Sequence, residues 1–134
     1  MASITVDAIT ENVTTVTEFV DAFLEEHDCN MKAQIQIDVA IDEIFSNIVN
    51  YAYEGVGEAT IDLGFDEDTR IVSITFSDSG IPYNPLEKDD PDITLSIKDR
   101  EIGGLGIFMV KKTMDSMDYE YSNGQNNLKI TKVI

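Results

Sequence analysis

One cysteine, Cys29, stands alone among the 134 residues. Its solitude excludes an internal disulfide and a cysteine-rich zinc site, and it reads as a free thiol of a reducing cytoplasm. Histidine is as scarce. His27 has no second histidine with which to share a metal, and it continues the apolar stripe of a helix. It is therefore expected to be a packed helix-end residue, not a ligand. Cations are few: nine against 26 acidic residues, a net charge of −17. That argues against nucleic acid as a partner, because such binding draws mainly on cations placed against phosphates. Long apolar runs are missing too. None reaches membrane-spanning length, and the first residues lack the basic-then-apolar pattern of a signal peptide. No repeat, low-complexity tract or linker occurs. These absences leave a cytoplasmic chain with no membrane segment.

What is present suffices for a globular protein. Hydrophobic residues make up 43% of the chain, enough to bury a real core, and the length fits one domain over residues 1–134. Residues 2–8 alternate like a short strand. From Glu11 to His27 the residues Val13, Val16, Val20, Phe23 and Leu24 fall at helical spacing, with Thr10 as the expected N-cap. Asn30 is placed to cap a second helix, which runs to about Tyr53 on Ile37, Ala40, Ile41, Ile44, Ile48 and Ala52. Residues 58–66 and 70–77 alternate with period two about an acidic turn, Glu67-Asp68-Thr69. Residues 79–103 hold all three prolines and no sustained periodicity. A loop that long in a small domain reads as functional, and the span from Leu86 to Ile102 is expected to act as a lid. Helix returns near Leu105–Ser116. Two last strands, near 117–123 and 127–133, join through Asn123-Gly124.

Three short motifs then stand out by their order. Glu43-Ile44-Phe45-Ser46-Asn47 lies inside the second helix, so Glu43 and Asn47, four residues apart, share one face at the edge of its apolar stripe. A part-buried carboxylate there can deprotonate a hydroxyl, and an amide oxygen can complete the shell of a magnesium ion. Asp78-Ser79-Gly80 ends a strand-like run. A buried carboxylate can accept from the exocyclic amine of adenine and so reject guanine, while Gly80 permits close backbone approach. Gly103-Gly104-Leu105-Gly106 opens the late helix, where bare backbone N–H groups can meet phosphate. No Gly-Lys-Ser/Thr follows, so this is not a Walker loop. Lys98 and Arg100 are the nearest cations, and either could reach a terminal phosphate when the loop closes. The acidic surface as a whole repels a nucleotide, so a divalent cation and local N–H donors must offset it.

In this order the motifs resemble the GHKL ATPase superfamily, and within it the small stand-alone anti-sigma factor serine kinases of bacteria. Residues 41–47 are similar to its N-box, with Tyr51-Ala52-Tyr53-Glu54 downstream. Residues 78–85 are similar to its first glycine box with the Pro-aromatic-Asn/Asp-Pro extension of the anti-sigma branch, and residues 103–110 to its second. The likeness covers nearly the whole chain. It implies an α/β (α+β) two-layer sandwich of the Bergerat type: a mixed, mostly antiparallel sheet with helices on one face. It implies Glu43 as general base, Asn47 as magnesium ligand, and Asp78 as adenine reader. Gly80, Ile81, Arg100, Gly104, Leu105 and Gly106 complete the nucleotide site. A threonine of the family, which helps hold the base before the last strand, is replaced by Asn126-Asn127-Leu128. The helical hairpin with a phosphoacceptor histidine that sensor kinases carry is absent.

The resemblance implies an ATP- and magnesium-dependent serine kinase that binds a sigma factor and phosphorylates an anti-anti-sigma protein, with a homodimer as the family's common state. A second reading is a non-catalytic module that holds ATP or ADP and sequesters a regulatory partner. A third, an acidic interaction domain without nucleotide, requires all three motifs to be coincidences.

Overall fold

The computed structural model describes residues 2–55, 57–87 and 104–134. Lys98, Arg100, Gly103 and all but the first two residues of the expected lid lie outside them. In chain order the elements are β1 (Ala2–Asp7), α1 (Val13–Glu26), α2 (Met31–Asn47), β2 (Glu58–Asp66), β3 (Ile71–Asp78), α3 (Gly104–Thr113), β4 (Ser116–Ser122) and β5 (Gln125–Val133). The strands form one sheet in the order β1-β2-β3-β5-β4. The sheet expected to be mixed and mostly antiparallel is antiparallel at all four pairings. β2–β3 and β4–β5 are hairpins, β1 reaches β2 through α1 and α2, and β5 inserts between β3 and β4.

Strand alternation assigns the two faces. Ile61, Leu63, Val72, Ile74, Phe76, Leu128 and Ile130 point to one side and are buried. The helices cover that side with Val16, Val20 and Leu24 of α1, Ile37, Ile41, Ile44 and Phe45 of α2, and Val110 of α3. The other face is polar. One register row across it reads Thr5, Thr60, Ser77, Asn127, Glu120. Cross-strand hydrogen bonds lace that row: Thr5 Oγ1 with Thr60 Oγ1 at 2.9 Å, and Ser77 Oγ donating to Asn127 Oδ1 at 2.8 Å. Two layers result because only one face of the sheet is apolar.

Local chemistry sets the element ends. Asn30 caps α2, its Oδ1 accepting from Ala33 N at 2.8 Å. Thr10 does not cap α1. Thr10–Asn12 form a 3₁₀ turn, Asn12 turns its amide back to Asp7 O at 2.8 Å, and α1 starts at Val13. The β2–β3 turn is pinned by Asp66 Oδ1, which accepts from Asp68 N at 2.9 Å, and Arg70 takes φ 57°. Asn123 and Gly124 take φ 54° and 76°, the paired left-handed values of a tight hairpin. His27 ends α1 and packs between Phe23 and Phe65, at 4.6 and 4.2 Å between ring centres. Cys29 is free and half-buried, and burial pushes its thiol up from the ordinary range. Among the described residues no helix is long and apolar enough to cross a membrane.

Candidate functional site

The next register row on the core face passes from hydrocarbon to polar groups. It reads Val6, Ala59, Asp78, Asn126, Tyr121. Asp78 and Asn126 are 5% and 6% exposed, so a carboxylate and a carboxamide are buried side by side at the end of the core. Above them lies a narrow cleft. Phe76, Leu128, Asp78 and Asn126 form its floor, and Ile81, Tyr83 and Pro85 its rim. Its wall is the end of α2: Ile44, Asn47, Ile48, Tyr51 and Ala52.

That wall has a local cause. After Asn47 the chain widens into a π-helical turn, Ile48–Ala52, a distortion that recurs at functional sites. Ala52 O accepts from Ile81 N at 2.9 Å and ties this turn to the one after β3. The two backbones meet at Gly80, where any Cβ would overlap the Ala52 carbonyl. Tyr53 braces the same junction. Its hydroxyl accepts from Ser79 N at 2.8 Å and donates to Glu58 O at 2.7 Å. Tyr51 and Tyr83 stack across the mouth at 5.6 Å between ring centres.

On the floor, Asp78 Oδ1 accepts from Gly80 N and from Asn126 Nδ2, each at 2.9 Å. Among the described residues Oδ2 has no partner. Asn126 is saturated. It also donates to Ile81 O at 2.9 Å, and its Oδ1 accepts from Tyr83 N at 3.0 Å and from the Tyr119 hydroxyl. Asp78 is thus held by one oxygen and offers the other to the cleft, while Asn126 has no hydrogen-bonding capacity left for a ligand. Asn126 sits where the sequence departs from the resembled family. Its role was hidden in the sequence because only the β3–β5 register sets it opposite Asp78.

Glu43 and Asn47 share a face of α2 but meet different surroundings. Asn47 lines the cleft, and among the described residues its amide makes no hydrogen bond. Glu43 lies one turn earlier, half-buried against the first turn of α3, where a Cβ on Gly106 would overlap its Oε2. Burial raises the Glu43 carboxyl above its ordinary range, and repulsion from Asp42 adds to the rise. Gly104, Leu105 and Gly106 open α3 itself. Ile81 is exposed on the rim, and Gly80 fills the junction below it. The arrangement offers one acceptor for a donor on a flat ring, an apolar slot above it, an uncommitted amide oxygen, and a helix start bearing glycine. Arg100 lies outside the described residues.

Residues 6–132 match the family model of the histidine kinase-like ATPase domain. The serine/threonine-protein kinase BtrW of Bordetella bronchiseptica is 28% identical over 100 residues, 75% of this chain and 70% of that protein. The serine-protein kinase RsbW of Bacillus mycoides is 35% identical over 101 residues, 72% of this chain and 61% of its own length. The chain therefore spans less than two thirds of that relative. The anti-sigma F factor of Bacillus licheniformis is 23% identical over 115 residues, 86% of this chain and 79% of that protein.

Proposed function

We propose that this chain, which belongs to the histidine kinase-like ATPase domain family, is an anti-sigma regulatory factor with ATP-dependent protein serine kinase activity. Its 134 residues act as one ATP-binding unit. The observation that carries the reading is Asp78: a buried carboxylate with one oxygen committed and the other left to an apolar cleft. That suits the exocyclic amine of adenine, and guanine presents a carbonyl there instead. Ile81 and Gly80 bound the base slot. Gly104, Leu105 and Gly106 present backbone N–H groups at the start of α3 to the phosphates, and Arg100 supplies a cation.

The uncommitted amide of Asn47 fits a magnesium ligand, and the rest of the ion's shell would come from phosphate and water. Magnesium, when bound, neutralises phosphate charge that this acidic chain otherwise repels. Glu43 takes the proton of a serine hydroxyl as that oxygen bonds to the γ-phosphorus of ATP and the bond from that phosphorus to ADP breaks, ADP leaving. Its raised pKa brings it closer to the operating pH of a general base. Phosphoryl transfer asks mainly for positioning and charge neutralisation, so few groups suffice. The serine belongs to an anti-anti-sigma protein and the sequestered partner is a sigma factor, by analogy with relatives named serine-protein kinase and anti-sigma F factor. The setting is the cytoplasm, and the working state is a homodimer.

One observation favours the alternative, a non-catalytic ATP/ADP-binding module that sequesters its partner. Glu43 is not among the cleft-lining residues and rests on Gly106. The experiment that separates the two readings is magnesium-dependent ATP binding by calorimetry, together with transfer of labelled phosphate to an anti-anti-sigma protein. Binding with transfer supports the kinase. Binding without transfer to any such partner supports the module. No binding rejects both.

A further inference from the structure

The few cations are not scattered. Lys88, Lys98 and Arg100 lie outside the described residues, and of the other six cationic residues Lys32, Lys112 and Lys132 line one groove. It lies open to solvent between the start of α2 and the ends of α3 and β5. The nucleotide cleft lies at the opposite end of α2. Asp115, the carboxylate of this groove, is occupied: its Oδ2 accepts from Val133 N at 2.7 Å. Lys132 Nζ is anchored on Thr113 O at 2.6 Å, and Lys112 leans over the Phe108 ring at 5.3 Å.

Beside the groove α2 exposes apolar residues among Lys32 and Asp42. Met31, Ile35 and Val39 are 73%, 55% and 52% exposed, and their spacing of four makes one stripe. Lys32 and Gln36, each three residues before a member of that stripe, form its border with the groove. On α3, Met109 is exposed one turn before Lys112. Single exposed apolar residues need no explanation; an aligned set flanking a basic groove does.

We propose that this face docks an acidic amphipathic helix of a protein partner, its apolar side chains on Met31, Ile35 and Val39 and its carboxylates toward Lys32, Lys112 and Lys132. Charge complementarity selects the occupant. On a chain of net charge −17 an acidic partner is repelled over most of the surface and attracted at this groove. A second copy of the chain brings the same charge against itself, and three lysines are few for nucleic acid. The proposal does not depend on the nucleotide reading.

The test uses the full chain, isotope-labelled for NMR, and two synthetic helical peptides that share a leucine stripe. One carries flanking glutamates and the other flanking lysines. The glutamate peptide should shift α2 and α3 resonances around Lys32, Ile35 and Lys112, with an affinity that falls as salt rises. The pair Lys32→Glu and Lys112→Glu should weaken it about tenfold or more and favour the lysine peptide, with an unchanged far-ultraviolet circular dichroism spectrum as the check of folding. Equal binding of both peptides, no binding of either, or indifference to charge reversal overturns the proposal. So does self-association of the native chain that the same two changes abolish, which makes the face an interface between copies.

Discussion

Gly106 presses its bare Cα against the carboxylate of Glu43, so closely that a methyl group there would overlap Oε2. The contact joins α2 to the first turn of α3, and it sets helix propensity against space. Alanine is about 1 kcal/mol better than glycine within a helix. The carboxylate is the far end of a flexible side chain and can swing aside, so Gly106→Ala alone should gain only part of that, about 0–1 kcal/mol, while displacing Glu43. In a Glu43→Ala background the same change should give the full gain. Urea midpoints of the two single variants and the double variant form the cycle. An additive result would mean that the two residues are not coupled.

Asp78→Asn keeps the shape of the floor and removes its charge. ATP affinity should fall about 10- to 100-fold, the usual worth of a hydrogen bond to a charged group. Preference for ATP over GTP should shrink with it. Calorimetry with both nucleotides checks this, and unchanged preference would remove Asp78 as the base reader.

Asn126→Ala deprives Asp78 Oδ1, Ile81 O and Tyr83 N of a partner at once. A loss of about 2–4 kcal/mol is expected, more than one exposed hydrogen bond would give. Asn126→Asp instead sets two carboxyls side by side, whose mutual repulsion favours a shared proton as pH falls, so adenine binding becomes pH-dependent. Thermal melts with ATP at several pH values test both changes.

Glu43→Gln should leave ATP binding nearly intact and cut phosphate transfer by roughly 10²–10⁴-fold. Burial and Asp42 hold the native carboxyl above its ordinary range. Transfer needs the ionised form, so the native rate should rise with pH through an apparent pKa above that range. A Glu43→Gln variant as fast as the native chain would exclude Glu43 as the base.

A second carboxyl makes stability itself pH-dependent. Asp38 of α2 faces Asp21 of α1, and each keeps an oxygen buried without a partner. Burial first, then the hydrogen bond to and repulsion from Asp21, push Asp38 up to about 7. The folded state thus holds a proton that the unfolded chain releases near pH 4. Its stabilising effect is complete below that pH and is lost as pH rises through about 7. Asp38→Asn supplies a permanent donor. It should flatten the fall in urea midpoint between about pH 5 and pH 8 and raise the midpoint at the alkaline end. A slope like that of the native chain would rule out the shared proton.

Much of this molecule follows from local sequence. The bounds of β2, the Asn30 cap and the Asn123-Gly124 hairpin rest on alternation, a side-chain acceptor and positive φ, and all three act within a few residues. Local reasoning fails where a distant group intervenes. Asn12 turns to Asp7 and moves the start of α1 past Thr10. The second helix does run to Ala52, as expected, but its last turn is π-helical and its last carbonyl accepts from Ile81 N. The spacing of Glu43 and Asn47 placed both on one helix face. Only packing sent Asn47 to the cleft and Glu43 to Gly106.

The sequence by itself determined the elements, the apolar face of each and the residue types able to serve a nucleotide. Periodicity and turn chemistry are short-range and can be read along a chain. The tertiary structure alone decided that β5 enters between β3 and β4, setting Asn126 against Asp78 across 48 residues of chain. Strand order is selected by burial of whole faces and by pairing of buried polar groups. Those energies exist only once the partners have met.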